Sequence, residues 1–207
     1  MCLSTWATLV TAGVMLAACA TAGLTPRQEA GLREAQEIAD RTTDAYRVSR
    51  VKVFAVPLLR SAGVYRPRSD WIMLQPAMLD DVDFLSVLAH ELGHATLGHK
   101  MLGTDICDPA GASAQGLWEC RGISTPTGRQ WLQQAELDAN ARAVDIMVRV
   151  MRMTHAAALR RFTALLMRSA NAPPVRGYFG GCREIEDLLA RFPPVTEFPP
   201  PQTCGPR

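Results

Sequence analysis

The chain has 207 residues, 48% of them hydrophobic and 20% charged, which is enough to bury one substantial core without a second domain. With 22 Lys and Arg against 20 Asp and Glu, the net charge is +2, and no basic surplus exists to neutralise phosphates, which argues against nucleic-acid binding. The 14 Pro and 15 Gly follow no period, so collagen-like and coiled-coil classes are also set aside.

Residues 1–24 carry no charged side chain; the first are Arg27 and Glu29. This segment ends in Leu16-Ala17-Ala18-Cys19, small residues directly before a cysteine, and looks like a bacterial lipobox. The reading is a signal peptide over residues 1–18, cleavage before Cys19, and a lipid anchor on the Cys19 thiol. A plain signal peptide or an uncleaved anchor helix is the alternative. Ala20 and Thr21 carry no acidic signal, which points to an outer-membrane lipoprotein of the bacterial envelope facing the periplasm.

Thr25-Pro26 followed by Gln28 reads as a helix start with a capping box. Leu32, Ala35, Ile38, Ala39, Ala45 and Tyr46 then recur at three and four, giving an amphipathic helix over residues 26–48. Residues 51–56 and 71–74 are short β-rich runs closed by Pro57 and Pro76, with Val64 and Tyr65 as a middle piece. Together they predict a small antiparallel sheet, and the 71–74 strand is expected to offer an edge to which an extended peptide could add.

Residues 84–99 read as a helix apolar nearly all round, hence buried. It contains His90-Glu91-Leu92-Gly93-His94. Positions four apart on a helix stand one above the other, so the two imidazoles converge on one point and form a metal clamp. Glu91, beside them, can take the proton of a bound water. Leu97 and Lys100 stand where a metzincin needs glycine and histidine, which excludes that class. His99 is out of phase for the same metal on one continuous helix, and reads as a cation at the helix C-terminus.

Residues 101–128 hold five Gly and two Pro and read as a long loop. Apart from Cys2 and Cys19, four cysteines remain: Cys107, Cys120, Cys182 and Cys204. An even number in an exported chain predicts two disulfides, for which three connectivities exist; proximity favours Cys107 with Cys120 and Cys182 with Cys204.

A capping box at residues 127–130 opens the next helix, which runs through about Arg152. Its apolar stripe, Leu132, Ala139, Ala143, Met147 and Val150, also contains Glu136 and Asn140. A carboxylate on a buried face needs a partner, and a zinc ion would supply one, which makes Glu136 the candidate third ligand. Small Ala139 lets this helix approach the His90/His94 helix closely, and Asn140 can accept the outer N–H of a ligand histidine. Helices over 155–169 and 183–191 follow, and the last 15 residues, with six Pro, read as an extended strip.

His90-Glu91-Leu92-Gly93-His94 through His99, with Glu136-Leu137-Asp138-Ala139-Asn140 downstream, resembles the minigluzincin metallopeptidases. These include the heat-shock membrane proteases of the HtpX type, the CAAX prenyl endopeptidase and small periplasmic lipoprotein proteases. The likeness spans roughly residues 26–170. It implies an α+β, mainly helical zincin-like domain with a small antiparallel sheet next to the His-Glu-x-x-His helix. It also implies one Zn2+ per chain on His90, His94 and Glu136. Asn140 stands where the family carries aspartate, as it often does in repressor-cleaving metalloproteases of the ImmA/IrrE type.

The expected organisation is a signal peptide over 1–18, a zinc metallopeptidase domain over 19–192 and a Pro-rich tail over 193–207. The expected activity is zinc-dependent endoproteolysis of unfolded or misassembled exported polypeptides, with Glu91 as general base. The oxyanion donor is unassigned, with His155, Tyr178 and Arg183 as candidates. Alternatives are a zinc-containing envelope scaffold or chaperone with little turnover and a regulatory protease of the ImmA/IrrE type. Expected partners are polypeptide substrates and, through the anchor, a membrane.

Overall fold

The computed structural model describes residues 23–59, 61–102, 104–108, 117–170 and 181–192. Among them are five α-helices: α1 (Pro26–Tyr46), α2 (Phe84–Leu97), α3 (Pro126–Arg149), α4 (His155–Ala170) and α5 (Gly181–Arg191). Six short strands make two sheets: β1 (Lys52–Ala55), β2 (Gly63–Arg66), β3 (Trp71–Leu74), β4 (Met101–Leu102), β5 (Asp105–Cys107) and β6 (Cys120–Gly122). The fold class is α+β, as expected. None of the described helices is long and apolar enough to cross a membrane. Cys2, Cys19, Tyr178, Cys204 and the tail lie outside the described residues.

Helix α1 starts as the sequence predicts. The Thr25 hydroxyl accepts from the Gln28 backbone N–H, the Gln28 side chain accepts from the Thr25 N–H, and Pro26 fills the first turn. Helix α3 starts earlier than the expected capping box at 127–130. Its N-cap is Thr125, whose hydroxyl accepts from the Gly128 N–H at 3.0 Å. The reason is Pro126, which lacks an N–H and has its φ preset, so it suits the first helical position directly after the Thr125 cap.

The first sheet has the order β1-β3-β2, and it is mixed, not antiparallel. The turn at residues 67–70, with Asp70 at φ 53°, joins β2 and β3 as an antiparallel hairpin, while β1 runs parallel to β3 on the other side. Four residues can link only antiparallel neighbours, so β1 takes the remaining edge. Leu59 and Ala62 are both held at the end of β3, their carbonyls accepting from the Gln75 side chain and backbone N–H.

This arrangement corrects the expected edge. Trp71–Leu74 is the central strand, with Ile72 and Leu74 fully buried, and both its sides are paired. The outer side of β1 is covered by the Gln36 side chain, which donates to the Val51 carbonyl at 3.0 Å and accepts from the Val53 N–H at 2.9 Å. Among the described residues no strand pairs with the outer side of β2, which is the remaining edge of this sheet.

The expected loop at 101–128 contains the second sheet, β4-β5-β6, antiparallel throughout. Strands of two or three residues are too short to show alternation in sequence. Cys107 and Cys120 sit opposite each other on β5 and β6 and form a disulfide, as proximity suggested. Cys182 is also disulfide-bonded.

Helix α2 packs on the mixed sheet with one face and on α3 with the other, which explains its nearly continuous apolar character. Leu88, Leu92, Ile146, Met147, Leu159 and Phe162 have no exposed surface, and burial of each contributes about 1.5–3 kcal/mol. A Cβ on Gly93 would stand 2.6 Å from the Ala139 carbonyl oxygen, so α2 and α3 touch backbone to backbone at this crossing.

Candidate metal centre

The α2/α3 crossing assembles the predicted residues. Gly93 lies between His90 and His94 on α2, and Ala139 lies between Glu136 and Asn140 on α3. Where these two small residues touch, the four larger side chains are brought to one side of the contact.

His90 Nε2 is 3.2 Å from Glu136 Oε2, His94 Nε2 is 3.7 Å from Glu136 Oε1, and the two Nε2 atoms are 3.1 Å apart. One ligand atom from each of the three residues lies within 4.8 Å of the others, so His90, His94 and Glu136 form a group that can hold a metal ion. The size of the group tests that fit. Ligand atoms about 2.0–2.1 Å from a tetrahedral ion stand about 3.3–3.4 Å apart. The His90–His94 and His90–Glu136 Oε2 separations of 3.1 and 3.2 Å are close to this, while His94 faces the other carboxylate oxygen, Oε1, at 3.7 Å. Three protein donors also leave the fourth position open, as a catalytic ion needs.

The electrostatics fit a shared positive charge at this point. Burial works to lower the pKa of His90, but the Glu136 carboxylate outweighs it and pushes His90 up to about 9. Burial alone would raise Glu136; the imidazoles of His94 and His90 instead hold it well below the usual carboxylate range. These are two views of one interaction. Glu136 itself is 7% exposed, so the buried carboxylate inferred from the α3 stripe is present.

Asn140, 3% exposed, lies with Oδ1 2.9 Å from His90 Nδ1. An amide oxygen only accepts, so Nδ1 carries a proton in either charge state, and it is the second proton, on Nε2, that must leave to free the ligand position. The Phe162 ring stacks on His90 at a centroid distance of 6.4 Å and closes that flank.

Glu91 stands between the centre and the sheet, close enough to feel the charges of His90, His94 and Glu136 and with its Cγ against Gly63 of β2. Its carboxylate accepts from the Tyr65 backbone N–H on β2. Burial raises its pKa above the ordinary value, a direction that suits a general base working near neutrality.

Two residues near the centre escaped the sequence reading. His99 is 6% exposed, and its Nδ1 is 2.9 Å from His94 Nδ1. Burial pushes it down to about 3, so it is neutral and not the expected helix-terminal cation. The phase argument assumed a helix continuing to 99, whereas α2 ends at Leu97 and Gly98 turns the chain at φ 67°. Gly98 is the signal that could have shown this.

Glu184 on α5 is 7% exposed and held neutral to about pH 7, chiefly by burial and also by the charge of Glu136. It sits in the buried stripe Gly181, Glu184, Ile185 and Leu188, and only the pattern of α5 hinted at it. Of the oxyanion candidates, His155 has its ring packed against Phe192 at 5.1 Å, and Arg183 lies in the first turn of α5.

No family model, no curated protein and no solved structure matches this chain. The likeness to the minigluzincins rests on the site residues themselves.

Proposed function

We propose that the chain is a zinc metalloendopeptidase of the minigluzincin type, lipid-anchored through Cys19 in the bacterial envelope and acting on unfolded exported polypeptides. The observation that carries the reading is the convergence of His90, His94 and the buried Glu136, one ligand atom of each within 4.8 Å of the others, with Glu91 next to the first histidine in the helix. Zinc held there would supply Lewis-acid polarisation of a scissile carbonyl and bring the pKa of an attacking water to about 7.

The residues of the chain perform the rest. Glu91, oriented by the Tyr65 N–H, takes the proton of the attacking water and returns it to the leaving amine. Asn140 holds His90 in the ligand tautomer. The outer edge of β2, which no described strand covers, is the place for an extended substrate to lie, and adding there as a strand would take the Tyr65 N–H over from Glu91. A requirement for extended chain selects unfolded segments over folded domains.

The test is incubation of the purified, zinc-loaded protein with a reduced, unfolded polypeptide, with products identified by mass spectrometry. Cleavage by the native chain and none by Glu91→Gln is the expected result. A zinc-loaded native chain that leaves unfolded polypeptide intact would instead point to a scaffold or chaperone.

A further inference from the structure

Helix α2 stops immediately after the motif, and the stop has a defined geometry. Gly98 is left-handed, its N–H bonds to the Ala95 carbonyl at 3.2 Å, and the His99 N–H bonds to the His94 carbonyl at 3.1 Å. This is the Schellman arrangement, which brings the side chain two residues past the helix end back onto the side chain four residues from the end. That contact is ordinarily apolar. Here it is made by two imidazoles, His99 on His94, with ring centroids 5.1 Å apart and the Nδ1 atoms at 2.9 Å.

We propose that the Gly98-His99 helix stop is part of the metal centre, with His99 as a positioning residue that fixes the tautomer and ring angle of His94. This rests on the reading of His94 as a ligand. In a neutral pair of ring nitrogens one donates and the other accepts. His94 Nε2 faces His90 and Glu136, so its proton is on Nδ1 and His99 Nδ1 accepts it. His99 thus does for His94 what Asn140 does for His90. Both outer partners come from backbone features next to the ligands: one from the neighbouring helix, the other from the end of the ligand helix.

Two substitutions of nearly equal shape isolate the acceptor. Asn at 99 keeps an oxygen near the Nδ1 position, and Leu does not. Zn2+ affinity of native, His99→Asn and His99→Leu proteins is measured by competition with a chromophoric chelator, and urea unfolding in EDTA checks the metal-free fold. The expected result is a loss of about 10 to 100-fold in His99→Leu with substantial recovery in His99→Asn. A His99→Leu chain that binds Zn2+ as tightly as native, or equal losses in both variants, overturns the proposal. If His99→Leu does not fold, a long-range proton–nitrogen spectrum of the native zinc-loaded protein decides: the proposal requires His99 to carry its proton on Nε2 with Nδ1 unprotonated, and a His99 protonated on Nδ1 overturns it. Failure of the native chain to bind Zn2+ at all would remove the metal reading itself, a separate outcome.

Discussion

Gly93 and Ala139 meet so closely that a single methyl group on Gly93 would stand 2.6 Å from the Ala139 carbonyl oxygen and 3.2 Å from its Cα. The obstacle is backbone, which cannot rotate away as a side chain can. Adding the methyl must therefore separate α2 from α3, and with them the histidines from Glu136 and Asn140. Gly93→Ala is expected to cost about 1–3 kcal/mol, the usual range for overpacking, and to weaken metal binding in step. Urea denaturation and zinc titration check both. Native stability together with native affinity in this variant would show that the crossing does not set the site.

Glu91 holds no position in the ligand group; it takes its hydrogen bond from the Tyr65 backbone. Glu91→Gln should keep its zinc, measured by metal analysis, and lose about 100 to 10,000-fold in peptide hydrolysis. Near-native turnover of a zinc-loaded Glu91→Gln chain would end its assignment as the base.

The α3 residues should separate by face. Glu136→Gln is expected to weaken zinc binding strongly and abolish activity, because an amide does not neutralise the ion. Asn140→Ala should cost about 10 to 100-fold in affinity. Asp138 instead receives the Arg191 guanidinium at 2.7 Å and the Gln134 amide at 2.9 Å, which ties α5 to α3 near the surface. Asp138→Ala should leave the metal in place and cost about 1 kcal/mol or less. Loss of zinc from Asp138→Ala but not from Glu136→Gln would reverse the ligand assignment.

The metal-free protein should respond to pH through the His90–Glu136 pair. His90 is raised from its ordinary 6.5 to about 9, so the folded state holds that proton more tightly than the unfolded chain does. The stability it lends is fully present below about pH 6.5 and is lost as pH rises through about 9. Glu136, lowered, lends stability above its ordinary 4.5 that is lost as pH falls below it. Zinc must displace the His90 proton, so its apparent affinity should rise across the same window in which metal-free stability falls. Urea unfolding in EDTA at pH 6.5, 8 and 9, with parallel zinc titrations, reads both trends. In Glu136→Gln the loss of stability above pH 6.5 should disappear; a slope that persisted would assign it to another group.

The group that could hold a metal was legible in the sequence because helical period largely dictates it. His90 and His94 are one turn apart whatever surrounds them, and Glu136 shares an apolar stripe whose members must face inward. The start of α1 and the Cys107–Cys120 pairing were likewise local, fixed by a capping box and by a separation of 13 residues. What the sequence left open depended on contacts between distant segments. Which strand is central follows from the order in which three four-residue strands find partners, and their patterns are too alike to rank. The role of His99 turned on a single left-handed residue, Gly98, that ends the helix two residues earlier than hydropathy suggests. The depth of the α2/α3 contact, and hence whether two histidines and a glutamate 42 to 46 positions away come within 4 Å, is a property of packing. Periodicity tells which face of a helix is buried, but only the tertiary structure decides what that face meets, because burial rewards any apolar partner and the close approach is selected by shape.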